Sequence, residues 1–82
     1  MLMGMLWFDN DPHRSIAAKV EEAARRYRDK FGSVPNTCYV NRAVLNGQEL
    51  DVPFEGRTLR VVPATNVLAD HFWIGKEDLI VK

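Results

Sequence analysis

Apolar residues recur at helical spacing through residues 12–31. They fall at positions i, i+4, i+7, i+8, i+11 and i+15, in the series Ile16, Val20, Ala23, Ala24, Tyr27 and Phe31. This spacing puts them in one stripe of an α-helix, with charged residues on the opposite face. The pattern predicts a half-buried helix that begins with Asp11 as N-cap and Pro12 as first residue. Gly32 is predicted as the C-cap.

The remaining chain carries the apolar and β-branched runs that are typical of strands. Residues 1–8 are almost wholly apolar, which predicts a central strand buried on both faces. Further strands are predicted at residues 37–40, 49–54, 57–62 and 71–74, and residues 79–82 could pair back. Glu55 and Gly56 predict the tight turn of a hairpin. Pro53 cannot donate to a ladder, so its strand is predicted at an edge or a bulge.

Together these elements predict an α+β fold in a single compact domain spanning residues 1–82. One long helix packs on a mixed sheet of four to six strands, in the order β-α-β-β-β-(β). The first two strands could run parallel through a crossover, or the helix could pack across an antiparallel sheet, and the pattern leaves both open. So short a chain has a small core, and an oligomer interface would relieve that limit.

Composition and charge exclude several classes of protein. Eleven basic and eleven acidic residues cancel, so no basic excess points to a nucleic acid. The single cysteine, Cys38, excludes an internal disulfide framework and fits a reducing cytoplasm. Residues 1–8 lack the basic start and cleavage site of a leader. No apolar run reaches the roughly 18 residues of a membrane span. We therefore expect a soluble cytoplasmic protein without a membrane partner.

The loop after the first predicted strand is a candidate metal or anion site. Asp9, Asp11 and His13 lie between that strand and the helix, where strand ends and helix N–H groups converge in many α/β proteins. His71 could join them as a ligand if the last strands lie beside the first. The competing interpretation, which we favour, is a turn that caps the helix.

The stretch LWFDNDPH, residues 6–13, resembles the first motif of haloacid-dehalogenase-type phosphotransferases. The resemblance implies Asp9 as nucleophile and Asp11 as general acid. The chain is far too short for that fold and lacks the family's later Lys and paired-carboxylate motifs, so we do not assign it to this family.

Two further sets of residues are candidates for binding or catalysis, but a structural role is favoured for each. Arg25, Arg26 and Arg28 could meet phosphates, but interleaved acidic residues favour a solvated helix face. Cys38 lies inside a β-rich run, which favours a buried thiol over a nucleophile. No motif points to a cofactor.

Two aromatic pairs give the clearest functional indication. Trp7 and Phe8 are adjacent, as are Phe72 and Trp73, so each pair must be split between the two faces of a sheet. One helix can cover only one face, which leaves aromatic side chains for an interface. These four residues are therefore the predicted interface, for self-association or for another protein.

A second resemblance bears on assembly. The long helix is followed by Gly32, Pro35 and Asn36, a short strand that ends in Asn41, a helical turn, and a later strand before Val61-Val62-Pro63. This order is similar to that of the helix and strands in the P-domain of tailed-phage major capsid proteins. The resemblance covers about half of the chain and implies an assembly role.

The sequence thus favours a non-enzymatic protein-binding or assembly module, with a homodimer through the uncovered sheet face. One alternative is a metal- or anion-binding protein, including a small hydrolase, that uses Asp9, Asp11 and His13. The other is a nucleic-acid binder that uses the arginine face of the helix.

Overall fold

The computed structural model describes residues 3–77, which form one helix packed on a five-stranded sheet. The elements are β1 Met3–Phe8, α1 Ile16–Phe31, β2 Thr37–Asn41, β3 Leu50–Phe54, β4 Arg57–Ala64 and β5 His71–Lys76. The predicted α+β fold, with its long helix and mixed sheet, is confirmed. The predicted pairing of residues 79–82 lies outside the described residues.

The sheet has the strand order β1-β5-β2-β4-β3. β2 and β4 pair in parallel, and the other three neighbouring pairs are antiparallel. β1 and β2 therefore run in the same direction without touching, because β5 lies between them. Of the two alternatives for these strands, the parallel direction is confirmed, although the strands are not neighbours. The structure instead inserts the last described strand into the middle of the β-α-β unit.

The predicted hairpin joins β3 to β4. Glu55 and Gly56 at its turn both have left-handed backbones, with φ of 52° and 74°. Two central residues with positive φ define the turn that matches the natural twist of a hairpin. β3 lies at one edge of the sheet, as Pro53 predicted.

The prediction that the first strand is central was wrong. β1 forms the other edge of the described sheet, with only β5 beside it. Leu6 is 56% exposed and Phe8 is 54% exposed. A continuous apolar run predicts burial on both faces, but here one face of the strand is open to solvent.

The helix begins four residues later than predicted. Ser15, not Asp11, is the N-cap, and its hydroxyl accepts from the backbone N–H of Ala18 at 3.1 Å. Asp11 instead accepts from the N–H of His13 at 2.9 Å, in a turn that precedes the helix. Side chains that bond their own backbone two residues on favour such turns over helix. Gly32 ends the helix with φ of 73°, as predicted.

The core lies between α1 and one face of the sheet. Val20, Ala23, Ala24 and Tyr27 are buried along the predicted stripe, whereas Phe31 at its end is half exposed. Opposite them, the sheet contributes eight buried side chains: Cys38, Val40, Val52, Phe54, Leu59, Val61, Phe72 and Ile74. Cys38 and Val61 are register partners on neighbouring central strands. Every buried strand residue in this set faces the helix.

Candidate binding surface on the uncovered sheet face

Strand register divides the aromatic pairs between the two sheet faces. Trp7 is paired with Phe72, and both contact the core beneath the helix. Phe8 is paired with His71 on the opposite face, which no helix among residues 3–77 covers. Trp73 shares that opposite face because neighbouring strand residues alternate. The predicted split of each pair is therefore confirmed. Whether these residues form an interface stays a prediction, and Phe72, only 1% exposed, is not accessible to a partner.

We call the uncovered side of the sheet the open face. Its central part consists of side chains from four strands, identified by the register: Leu6, Phe8, Tyr39, Val62, His71 and Trp73. Tyr39 and Trp73 are partners on the adjacent strands β2 and β5. Leu6 is the partner of Trp73 on β1. Apolar and aromatic side chains thus follow one another across three strands.

The loop between β4 and β5 turns this face into an open groove of about 1050 Å³. Leu6, Tyr39 and Trp73 line it from the sheet, and Leu68 lines it from the loop. Arg42, from the turn after β2, lines both this groove and a smaller adjoining hollow of about 600 Å³. Leu68 is 72% exposed, the highest value among the large apolar residues described as exposed.

Hydrogen bonds fix the loop that walls the groove. The Asn41 side chain donates to the carbonyl of Val67 at 3.0 Å, and the backbone N–H of Arg42 donates to Ala64 at 2.9 Å. The backbone N–H of Asp9 donates to the carbonyl of Asp70 at 2.9 Å. These hydrogen bonds therefore connect the loop to β2 on one side and to the end of β1 on the other.

Tyr39 is also held in place within the groove. Its hydroxyl donates to a carboxylate oxygen of Glu77 at 3.1 Å. Partial burial raises the pKa of this phenol above its usual value, and the bond to Glu77 raises it further. The hydroxyl therefore stays protonated as a donor, and the ring is fixed beside Trp73.

Sequence reasoning did not identify Tyr39, Arg42 or Leu68. The sequence predicts that Tyr39 lies in a strand, but it does not predict which face of the sheet the side chain occupies, because the face depends on the strand order. Arg42 and Leu68 lie in irregular segments, where no periodicity indicates a surface. The many turn-forming residues around Leu68 indicated only a loop.

The predicted metal or anion loop is organised by its own hydrogen bonds. Asp9 accepts from the N–H of Asp11 at 3.0 Å and pairs with the guanidinium of Arg14 at 3.0 Å. His71 lies near a backbone carbonyl, with Nδ1 3.0 Å from the oxygen of Ala69. Within residues 3–77, no group of three or more His, Cys, Asp or Glu side chains is placed to hold a metal ion. The favoured interpretation, a turn that caps the helix, is right for the turn but wrong for the cap, because Ser15 and not a residue of this loop is the N-cap.

The arginines proposed for nucleic-acid binding all lie close to carboxylates. Glu22 accepts from Arg25 at 2.7 Å and from Arg26 at 3.1 Å, and the bond from Arg25 is the main reason its pKa is lowered. Arg25 and Arg26 therefore share one carboxylate, that of Glu22. Arg28 contacts Glu55 at 2.9 Å, which raises the pKa of its guanidinium. These contacts fit a solvated helix face.

Cys38 is fully buried in the centre of the sheet, as predicted for a structural thiol. Burial raises the pKa of its thiol from 9.0 to about 12. A nucleophilic cysteine needs the opposite shift and access to substrate.

Comparisons of the chain with protein-family models, with curated proteins and with solved structures give no match. Among the described residues, no helix combines the length and the apolar character that crossing a membrane requires.

Proposed function

We propose that this protein is a non-enzymatic protein-binding or assembly module that binds its partner through the open face. The observation that carries this proposal is the one-sided sheet: a single helix covers one face, and the other presents exposed apolar and aromatic side chains. Contiguous apolar surface of this kind marks interaction sites in other proteins.

The composition of the open face supports the proposal. Trp73 and Tyr39 lie side by side at its centre, and aromatic residues at the centre of an interface often contribute most of the binding energy. Leu6 and Leu68 extend the apolar area on either side. Arg42 adds a charged group at one end, which matches the polar rim that surrounds most interface centres.

The choice of a binding role over an enzymatic one rests on the reactive side chains. The thiol of Cys38 is buried and its pKa is high. Asp9 is engaged by Arg14 and by a backbone N–H. General acid–base catalysis requires such a group within hydrogen-bond reach of a substrate proton, whereas the described contacts of Asp9 are to Arg14 and Asp11.

The proposal is tested by capture of partners followed by measurement with purified components. Proteins retained from a nuclease-treated lysate of the source cell are identified, purified and titrated against the protein by calorimetry. Leu68→Lys places a charge on the open face at an exposed position, so it should weaken binding at least about tenfold, or 1.4 kcal/mol. Trp73→Ala should also weaken partner binding.

Phe31→Lys is the matched control, because Phe31 is an exposed apolar residue at the far end of the helix. Its affinity should equal that of the unmodified protein. Loss of binding in Phe31→Lys with full binding in Leu68→Lys would contradict the proposal. If the same capture from an untreated lysate retains only nucleic acid, and salt or the double variant Arg25→Glu with Arg26→Glu releases it, the nucleic-acid alternative replaces the proposal.

A further inference from the structure

The two edges of the described sheet differ in how they are protected. β3 carries the charge of Asp51 and the ring of Pro53, both exposed, and these features discourage pairing with another strand. β1 contains neither a charged residue nor a proline over its six residues. Its Leu6 and Phe8 side chains are more than half exposed. Within residues 3–77 no strand pairs with the outer side of β1, and an apolar edge of this kind offers its backbone groups to a further strand.

We propose that β1 pairs antiparallel with β1 of a second copy of this chain, about a two-fold axis that passes through Leu6. The pairing joins two five-stranded sheets into one continuous sheet of ten strands. This inference deepens the proposed function, since it names a second copy as one partner and the strand edge as the place where that copy docks.

The register follows from the symmetry. Two sheets that continue edge to edge in antiparallel fashion are related by an axis perpendicular to the sheet, so opposed residues share a face. An axis at Leu6 therefore opposes Leu6 to Leu6, Met5 to Trp7 and Gly4 to Phe8. Both helices then lie on the same side, and the two open faces become continuous.

Shape complementarity favours this register over neighbouring ones. Gly4 is paired with Gly75 in its own sheet, so neither residue contributes a side chain to the open face there. A Cβ built at Gly4 would collide with the carbonyl oxygen of Ile74, which explains why no larger residue fits. The exposed ring of Phe8 from the second copy can cover this bare backbone, an arrangement that stabilises strand glycines.

Charge also permits the pairing. The first charged residue after β1 is Asp9, and Arg14 neutralises it at 3.0 Å. No like charges are therefore opposed along the paired strands, where such opposition would destabilise them. The net charge of the chain is zero, so the two copies do not repel each other as a whole.

Disulfide trapping with a single introduced cysteine tests the inference. Opposed residues in antiparallel strands have Cα atoms about 4.5–5.5 Å apart, which suits a disulfide. Leu6→Cys should therefore form a covalent dimer under mild oxidation. Asp51→Cys is the matched control, because Asp51 is also exposed, also on an edge strand and also on the open face. Buried Cys38 is present in both variants and is not accessible for cross-linking.

We expect Leu6→Cys to cross-link at least about tenfold faster than Asp51→Cys, since the preformed pair raises the local thiol concentration. Equal rates in the two variants, or no covalent dimer of Leu6→Cys, would overturn the inference. Leu68→Lys leaves β1 intact, so it should still permit trapping of Leu6→Cys while it reduces partner binding. The cross-linking rate therefore tests the pairing of the β1 edges, and the affinity for the partner tests the open-face proposal.

Discussion

At the scale of single residues, Cys38 shows how burial decides the role of a reactive group. It lies at the centre of the sheet, opposite Val61 and Ile74 on the two neighbouring strands. Removal from water disfavours the thiolate, which is why the pKa of this thiol rises from 9.0 to about 12. The residue therefore acts as a small apolar side chain.

This shift predicts a loss of stability in alkali. In the unfolded chain the thiol ionises near its ordinary pKa, whereas in the folded protein it stays protonated up to about 12. Below pH 9 the thiol is protonated in both states, so the full stability of the folded protein is present. Above pH 9 the free energy of unfolding falls as the pH rises towards 12. Ionisation of this thiol lowers the free energy of unfolding by at most about 1.4 kcal/mol per pH unit.

Urea unfolding at several pH values from about 8 to about 10 measures this slope. Other groups also titrate in this range, so the comparison is with Cys38→Ala, which lacks the thiol. The difference in unfolding free energy between the two proteins should shrink as the pH rises. A difference that stays constant would show that Cys38 ionises equally in both states.

At the scale of elements, the start of α1 shows two competing signals. Asp11 and Pro12 form a common pattern for a helix start, and Ser15 followed by Ile16 offers another. The structure uses Ser15, because Asp9 and Asp11 hold the preceding backbone in turns. Arg14, which would be unfavourable in a first helical turn, lies before the helix and pairs with Asp9.

Two substitutions distinguish these starts. Ser15→Ala removes the cap of the helix and should lower the free energy of unfolding by about 1 kcal/mol. Asp11→Ala removes a bond in an exposed turn outside the helix, so it should cost about 0.5 kcal/mol or less. Urea denaturation of both variants gives the comparison. A larger loss in Asp11→Ala than in Ser15→Ala would place the cap at Asp11.

At the scale of the whole molecule, local patterns predict the elements, and the strand order of the sheet decides which of their surfaces are exposed. The helical stripe, the Glu55-Gly56 turn and the alternation of Phe72 and Trp73 are properties of neighbouring residues, and each is as predicted. These patterns also predicted that the aromatic residues would be divided between a covered and an uncovered face.

The position of β1 could not be predicted in this way. An apolar strand has the same local pattern whether another strand or a second molecule covers it, and strand order depends on contacts distant in sequence. The groove escaped prediction for the same reason, since Leu68 and Tyr39 come together only when β5 is inserted beside β2. The exposed edge and the groove therefore follow from the strand order and not from the local sequence pattern.

We propose that this protein associates through its β1 edge and its open face, beginning with a second copy. Sedimentation equilibrium over about 1 to 100 µM measures this association. The average mass should rise from 9.4 kDa towards twice that value, whereas the mass of Leu6→Lys should remain at 9.4 kDa. A mass of 9.4 kDa for the unmodified protein over the whole range would contradict it.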